Sequence, residues 1–380
     1  MSFNTVFVVT EMRLGGRERV VSNIAGALNE HTEVAIFSVW KRLPFFISKA
    51  PLYFDKNSFV QTKSHSVSQK LETKKWMKPI VSIVKQLVPY TILQRKRLDD
   101  LVDFLQQNDV KNVVLTDLTS TFAYQIRKHL PDINIISWLH MQPDAFFDIQ
   151  YKGYKKELKI GLSSVNSLVA LTPNQEAEYK KYVSKTLFIP NPMPAVSKHL
   201  ADMSKQTILI IARIDIKHKG LDYLKNLVNY VSNGWKIKVV GSGSPEDERI
   251  FRDIVDSSDN KIIWESAMDG DELEKVYQEA SIFIMPSRFE GFPLTLGEAM
   301  SHGLPIIAFD LDGTRIILKD GDNDYGILIP KEKFQIFGEA IAKLTNNENL
   351  RKQLATKSIS RVNSFSEKKI LKQWLEILKQ

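Results

Sequence analysis

The feature that most restricts the fold is a strand–helix alternation that runs, stops at a proline-rich break and starts again. An apolar strand, Thr5–Thr10, meets the turn Leu14-Gly15-Gly16, and Val20, Val21, Ile24, Ala25 and Leu28 then recur at helical spacing before a second strand, Glu33–Val39. Strand, helix, strand in that order seeds a parallel sheet. Further strands are expected at Asn112–Thr116, Asn134–Leu139, Ser167–Leu171 and Leu187–Ile189. The run Ile189-Pro190-Asn191-Pro192-Met193-Pro194 fits neither a helix nor a central strand, because proline has no N–H to donate, so an interdomain linker is expected to begin there. The alternation resumes at Gln206–Ala212 and continues through Lys236–Val240, Lys261–Trp264, Ile282–Met285 and Pro305–Phe309. Two doubly wound α/β domains in tandem are the simplest account, and 380 residues suit two domains.

Composition narrows the chemistry. The chain has no cysteine, which excludes disulfides, thiolate metal sites and a cysteine nucleophile. Hydrophobic residues at 43% and charged residues at 25% allow a substantial core. The start, MSFNTVFVVTEMRLGG, lacks the basic opening and cleavage site of a signal peptide, and no apolar run is long enough to span a bilayer. A cytoplasmic protein is expected, free or peripheral on the inner face of the membrane. The net charge of +8 is local: Lys41–Arg97 carries 13 Lys/Arg against only Asp55 and Glu72. Such a segment suits an anionic membrane or a phosphate-bearing acceptor. Lys74, Lys75 and Lys78 precede Ile80, Val81, Ile83, Val84, Leu87 and Val88, and Arg95-Lys96-Arg97 follow, the pattern of a basic amphipathic helix. It would rest on anionic lipid through residues 74–97, guide a phosphate-containing acceptor, or pack on the first domain's sheet. No nucleic-acid-reading motif accompanies it, so no nucleic-acid partner is expected.

In doubly wound folds the ligand crevice lies where loops leave the strand ends. The strongest such loop, Pro286-Ser287-Arg288-Phe289-Glu290-Gly291-Phe292-Pro293-Leu294-Thr295-Leu296-Gly297-Glu298, leads from an apolar strand into a helix. Pro293 suits the first helical position, Gly291 allows close backbone approach, and the amides from Phe292 to Thr295 would face an anion. Glu290 and Glu298 flank that helix start; carboxylates repel phosphate, so hydroxyls are their expected partners. A second loop carries Arg213 and Lys219, suited to a diphosphate, and a third, Gly241-Ser242-Gly243, brings backbone close after a strand.

The Glu290/Glu298 pair with its intervening residues resembles the E-x7-E motif of the retaining enzymes in glycosyltransferase family 4. The match extends to Arg213, Lys219, Gly241–Gly243, the Gly15-Gly16 turn and the closing Phe365-Ser366-Glu367 with Trp374, but not to residues 41–98. The resemblance implies the GT-B fold, two Rossmann-like domains facing an interdomain cleft: residues 1–195 on the acceptor side with a basic insert at 41–98, residues 196–360 for the nucleotide-sugar, and a final helix in 361–380 packing back on the first domain. Carried over, Arg213 and Lys219 would hold the donor diphosphate, Glu290 the sugar hydroxyls and Glu298 the ribose. The amides of Gly291, Phe292, Leu294 and Thr295, with Pro293 at the turn, would complete the donor site, to which Gly16 and Gly243 add close backbone approach. His140 resembles the family histidine near the donor sugar, and Met268 lies in the loop that meets the nucleotide base, where Glu265-Ser266 replace the usual glycine. Thr172 and Asn191 occupy cleft positions. The resemblance also implies transfer with retention, from a UDP-sugar to a glycan, lipid-linked or phosphate-containing acceptor of the cell envelope. Same-face substitution is expected rather than a covalent glycosyl-enzyme, because Glu290 is assigned to hydroxyls. The basic pair would serve in place of a divalent cation, so neither a metal nor a cofactor is expected. The competing readings are a nucleotide-sugar epimerase, a phosphorylase (for which no pyridoxal-phosphate lysine is identifiable) and a non-catalytic binding subunit.

Overall fold

The computed structural model describes residues 2–12, 15–41, 44, 48–55, 58–60 and 89–379. They form two compact units, Met1–Pro190 with Ile370–Gln380, and Asn191–Lys369.

The first unit is built on β1 (Thr5–Val9), β2 (Val34–Ser38), β3 (Leu52–Asp55), β4 (Ser58–Val60), β5 (Asn112–Thr116), β6 (Asn134–Trp138), β7 (Ser167–Ala170) and β8 (Thr186–Phe188). They lie in the order β4-β3-β2-β1-β5-β6-β7-β8, all parallel except for the antiparallel β3–β4 pair. Every residue of β1, β2 and β5 is buried, as befits strands covered on both faces, and this is why they read as unbroken apolar runs. Strand order reverses between β1 and β5, whose register pairs Thr5 with Asn112 and Val8 with Leu115. The loops leaving those two strands therefore open on the switch point, where backbone amides and side chains can converge.

The second unit repeats the plan with β9 (Thr207–Ile211), β10 (Lys236–Val240), β11 (Ile262–Glu265), β12 (Ile282–Met285) and β13 (Ile306–Phe309). A two-stranded ribbon follows, β14 (Lys319–Asp320) and β15 (Asn323–Asp324), and then β16 (Ile327–Ile329). The sheet order is β11-β10-β9-β12-β13-β16, all parallel, with its reversal between β9 and β12. Each unit has its own apolar core, centred on residues such as Phe7, Leu115 and Ile135 in the first and Ile210, Phe251 and Ile284 in the second.

The last helix, Glu367–Leu378, buries Ile370, Leu371, Trp374, Ile377 and Leu378, one stripe of a helical surface. The Trp374 ring is fully buried, with centroids 5.7 Å from Phe7 and 4.7 Å from Trp138. Its packing ties residues 370–380 to the first sheet.

The short strands and the basic segment depart from the expectations. Strands β3, β4, β14, β15 and β16 were not foreseen; they span two to four residues each, too few to show a period. The Pro/Asn run, in which the first unit gives way to the second after Pro190, is packed: Met193 is buried, its N–H donates to the Phe365 carbonyl at 2.9 Å, and a Cβ on Gly297 would meet its side chain at 2.6 Å. Arg95-Lys96-Arg97 do not close a basic helix but open a separate one, Arg95–Gln107, that buries Leu98, Leu101, Val102, Phe104 and Leu105. The break before it comes at Gln94, which leaves helical geometry after a short helical turn, Tyr90–Leu93. There the Glu157 carboxylate accepts the amides of Tyr90 and Thr91, each at 2.7 Å. Arg97 lies over the Trp40 ring at 4.1 Å, while residues 74–88 of the expected basic helix lie outside the described residues. Among the described residues, no helix is long and apolar enough to cross a membrane.

Candidate functional site

In the second unit two loops meet at the switch point. Gly220 ends the loop after β9 with φ 65°, a left-handed conformation open to glycine, and a Cβ there would sit 2.0 Å from the Pro286 carbonyl oxygen. Glycine at 220 thus lets this loop lie directly on the loop after β12. Arg288 locks the pair: its amide donates to the His218 carbonyl at 2.9 Å, and its guanidinium reaches the Lys217 carbonyl and forks onto Asp222 at 2.7 and 2.8 Å. A planar fork matched to a carboxylate fixes orientation as well as distance.

This lock brings Lys219 and Glu290 together. Lys219 Nζ donates to Glu290 Oε1 at 2.8 Å, and the two line a recess at the strand ends with Ala212, Met285, Pro286 and Ser287. Arg213 stays largely exposed and pairs with Asp215 at 2.9 Å. His218 lies among these charges; burial, then Lys219, lowers its pKa from 6.5 against the opposing pull of Glu290 and Asp215, so it is neutral at pH 7.

The helix beyond the loop is Leu294–Ser301, with Pro293 at its N-cap rather than at the first helical position. The shift comes from the backbone of Pro293, whose ψ of 111° is extended. Leu294 and Thr295 are then the first helical residues, whose amides have no intrahelical acceptor. Phe292 is buried edge-on against Phe365, at 5.6 Å. The Gly291 carbonyl lies where a Cβ on Gly313 would meet it at 2.4 Å, so Gly313 sets the height of this loop. Glu298 is buried and accepts the Tyr277 hydroxyl at 2.6 Å, while Tyr277 stacks on His302, which donates from Nδ1 to the Glu298 carbonyl at 2.8 Å. Met268 is half-buried beyond β11, where Ser242 Oγ accepts the Ala267 amide at 3.0 Å. The glycines of the third loop are explained by backbone packing: a Cβ on Gly241 would lie 1.8 Å from the Ala212 carbonyl and one on Gly243 2.0 Å from that of Ile214. The Gly243 amide is taken by Glu248 at 2.8 Å.

The switch point of the first unit holds a buried charged cluster. Gly15 caps the helix Gly16–Leu28, and a Cβ on Gly15 would fall 2.3 Å from Glu18 Oε2. His140, just past β6, donates its backbone amide to Asp117 Oδ1 at 3.0 Å, with Nδ1 3.4 Å from the same oxygen. The other carboxylate oxygen of Asp117 accepts Arg17 Nη1 at 3.0 Å, and Arg17 also pairs with Glu18 and reaches the Tyr151 hydroxyl. Asp117 is 3% exposed and has φ 45°, strained backbone that costs about 1–2 kcal/mol and that aspartate tolerates better than most residues. Burial raises its pKa, but His140 and Arg17 together outweigh this and hold it at about 2. Burial also works against the Arg17 charge, yet Asp117 and Glu18 raise its pKa overall. Burial pushes the Tyr151 hydroxyl up as well. Thr172 is fully buried and caps the helix Pro173–Tyr179 through the Gln175 amide at 3.1 Å, a structural role. Asn191 is buried with Oδ1 lacking a hydrogen-bond partner.

Sequence reasoning missed Arg17, Asp117, Tyr277, Arg288 and Gly313. Arg17 adjoins Gly16, Arg288 lies inside the 286–300 loop, and Asp117 directly follows the expected strand Asn112–Thr116. The others reach the site through folds of the chain that leave no local pattern.

Residues 205–347 match the family described as glycosyl transferases group 1. An uncharacterized glycosyltransferase of Haemophilus influenzae is 25% identical over 98% of both chains. An α-1,4-N-acetyl-D-galactosaminyltransferase of Campylobacter jejuni, named for a diNAcBac-PP-undecaprenol-linked glycan, is 21% identical over 98% of this chain and 97% of its own. The matches to four further relatives take in 24%, 42%, 47% and 57% of those proteins' length. Among solved structures, Anabaena HepE in complex with UDP and glucose superimposes with a TM-score of 0.74 over 99% of both chains, at 12% identity. Two parallel-sheet α/β units with reversed strand order at β1/β5 and β9/β12 are the architecture of that class: the chain has the GT-B fold, and its segment 205–347, which carries Lys219, Glu290 and Glu298, matches the glycosyl transferases group 1.

Proposed function

We propose that the protein is a retaining glycosyltransferase that moves a sugar from a UDP-sugar to a glycan, lipid-linked or phosphate-containing acceptor of the cell envelope, without a metal ion. The observation that carries this reading is the Lys219–Glu290 pair, which joins the two strand-end loops of the second unit beside the start of the helix Leu294–Ser301. A cation and first-turn amides together suit a diphosphate, and the adjacent carboxylate suits sugar hydroxyls. The Anabaena neighbour with UDP and glucose supports the donor, and the Campylobacter relative's name supports a lipid-linked glycan acceptor.

In the proposed step the acceptor oxygen attacks the anomeric carbon on the face from which the phosphate leaves. The bond from that carbon to the phosphate oxygen breaks, and the acceptor's proton passes to the departing oxygen. Lys219 stabilises the charge that grows on the phosphate, with Arg213 recruited from its pairing with Asp215. A preorganised cation of this kind acts without solvent reorganisation. Glu290 and Glu298 hold sugar and ribose hydroxyls, and the basic stretch 74–97 serves the acceptor side, on an anionic membrane surface.

The test is a panel of nucleotide-sugars incubated with candidate acceptors, with nucleotide release measured and the product anomer assigned by NMR. Acceptor-dependent release of UDP with retained configuration is expected. Consumption of donor without acceptor would point to an epimerase, and inversion would overturn the mechanism. Absence of flotation with anionic liposomes at low salt would remove the membrane role.

A further inference from the structure

The cluster in the first unit is more ordered than a histidine near a sugar requires. One oxygen of Asp117 faces both the amide and Nδ1 of His140, and the other is held by Arg17. The His140 ring packs on Trp138 with centroids 4.7 Å apart, so it cannot turn freely. Its Nε2 is buried with no hydrogen-bond partner. A buried polar atom without a partner is costly, and a binding site can keep one for a ligand to satisfy.

We propose that Asp117 and Arg17 are positioning residues for His140, fixing its proton on Nδ1 and so presenting Nε2 as a hydrogen-bond acceptor for a substrate hydroxyl at the first unit's switch point. This rests on the transfer reading above. Asp117 sits in left-handed backbone at the end of β5, which aims its carboxylate across to the end of β6. Arg17, from the first turn of the helix after β1, holds the far oxygen, so the near oxygen stays turned to the imidazole. A carboxylate accepts only, so among the tautomers of an imidazole it selects Nδ1–H, which puts the lone pair on Nε2.

The test uses the full chain labelled with 15N-histidine, with the His140 tautomer read from long-range 1H–15N NMR beside steady-state kinetics. Wild type is expected in the Nδ1–H form. In Asp117→Asn the single amide oxygen cannot serve both Arg17 and the His140 backbone N–H; where Arg17 takes it, NH2 faces the ring and moves the proton to Nε2, so the Nε2–H population should rise and kcat should fall by roughly 10² or more, with the donor KM little changed. Adding Arg17→Met frees the amide to turn and should return part of the Nδ1–H population, an effect a merely structural role would not produce. Arg17→Lys should stay nearer to wild type than Arg17→Met in tautomer and turnover, and this pair decides the matter if Asp117→Asn does not fold. A wild-type ring protonated on Nε2, or an Asp117→Asn enzyme with unchanged tautomer and kcat, would overturn the proposal. If wild type consumes no nucleotide-sugar with any acceptor, the transfer reading fails, while the tautomer result still decides the positioning.

Discussion

Replacing Lys219 by methionine should damage turnover far more than stability, and the structure gives the size of each effect. The ammonium lies 2.8 Å from Glu290 Oε1, with the two side chains 19% and 8% exposed. At an effective dielectric constant of about 20 the attraction is about 6 kcal/mol, most of which the desolvation of both groups offsets. Methionine keeps much of the bulk but leaves the Glu290 carboxylate buried without its cation, a loss of about 1–3 kcal/mol. For a unit of this size, that lowers Tm by about 2–10 °C. Under the proposed mechanism turnover loses a charge aimed at the departing phosphate, a change of roughly 10²–10³ in kcat. Calorimetry and acceptor-dependent nucleotide release would measure the two. The double variant Lys219→Met/Glu290→Gln removes the stranded carboxylate as well, so its Tm should return toward wild type while kcat stays low. Wild-type kcat in Lys219→Met, or a double variant no more stable than the single, would refute this account of the site.

Asp117 should make the first unit acid-sensitive. Its folded-state pKa, about 2 against an ordinary 3.8, lies on the low side, so its contribution is complete above about pH 4 and is lost as pH falls toward 2. That contribution is about 2 kcal/mol, and the stability gap between wild type and Asp117→Asn in urea unfolding should shrink from pH 6 to pH 2.5. Gly220→Ala should cost about 1–2 kcal/mol for its left-handed backbone and more for the clash with the Pro286 carbonyl, with a matching fall in turnover as the two loops part. Trp374→Ala should destabilise the protein by about 3–5 kcal/mol, read from the urea midpoint, because the ring is fully buried against Phe7 and Trp138.

The two sheets were legible in the sequence because strands buried on both faces, such as Val6–Val9 and Ile282–Met285, are continuous apolar runs set between helical periods. The loop from Pro286 to Glu298 was legible for a related reason: a strand end, a glycine, a proline and a helix start must be neighbours in the chain. Pairing across long intervals leaves no such mark. That Lys219 meets Glu290 depends on Gly220 seating one loop on another, and that Glu298 meets Tyr277 depends on two helices arriving side by side. His140 could be picked out by its place after a strand, but Asp117 converges on it from the end of β5 and Arg17 from the helix after β1. Local chemistry therefore decided the elements and the loop from Pro286 to Glu298, because hydrophobic period and turn residues act over a few neighbours. Only the tertiary structure decided which charges face each other, because burial and sheet order bring together side chains that the sequence holds a hundred residues or more apart.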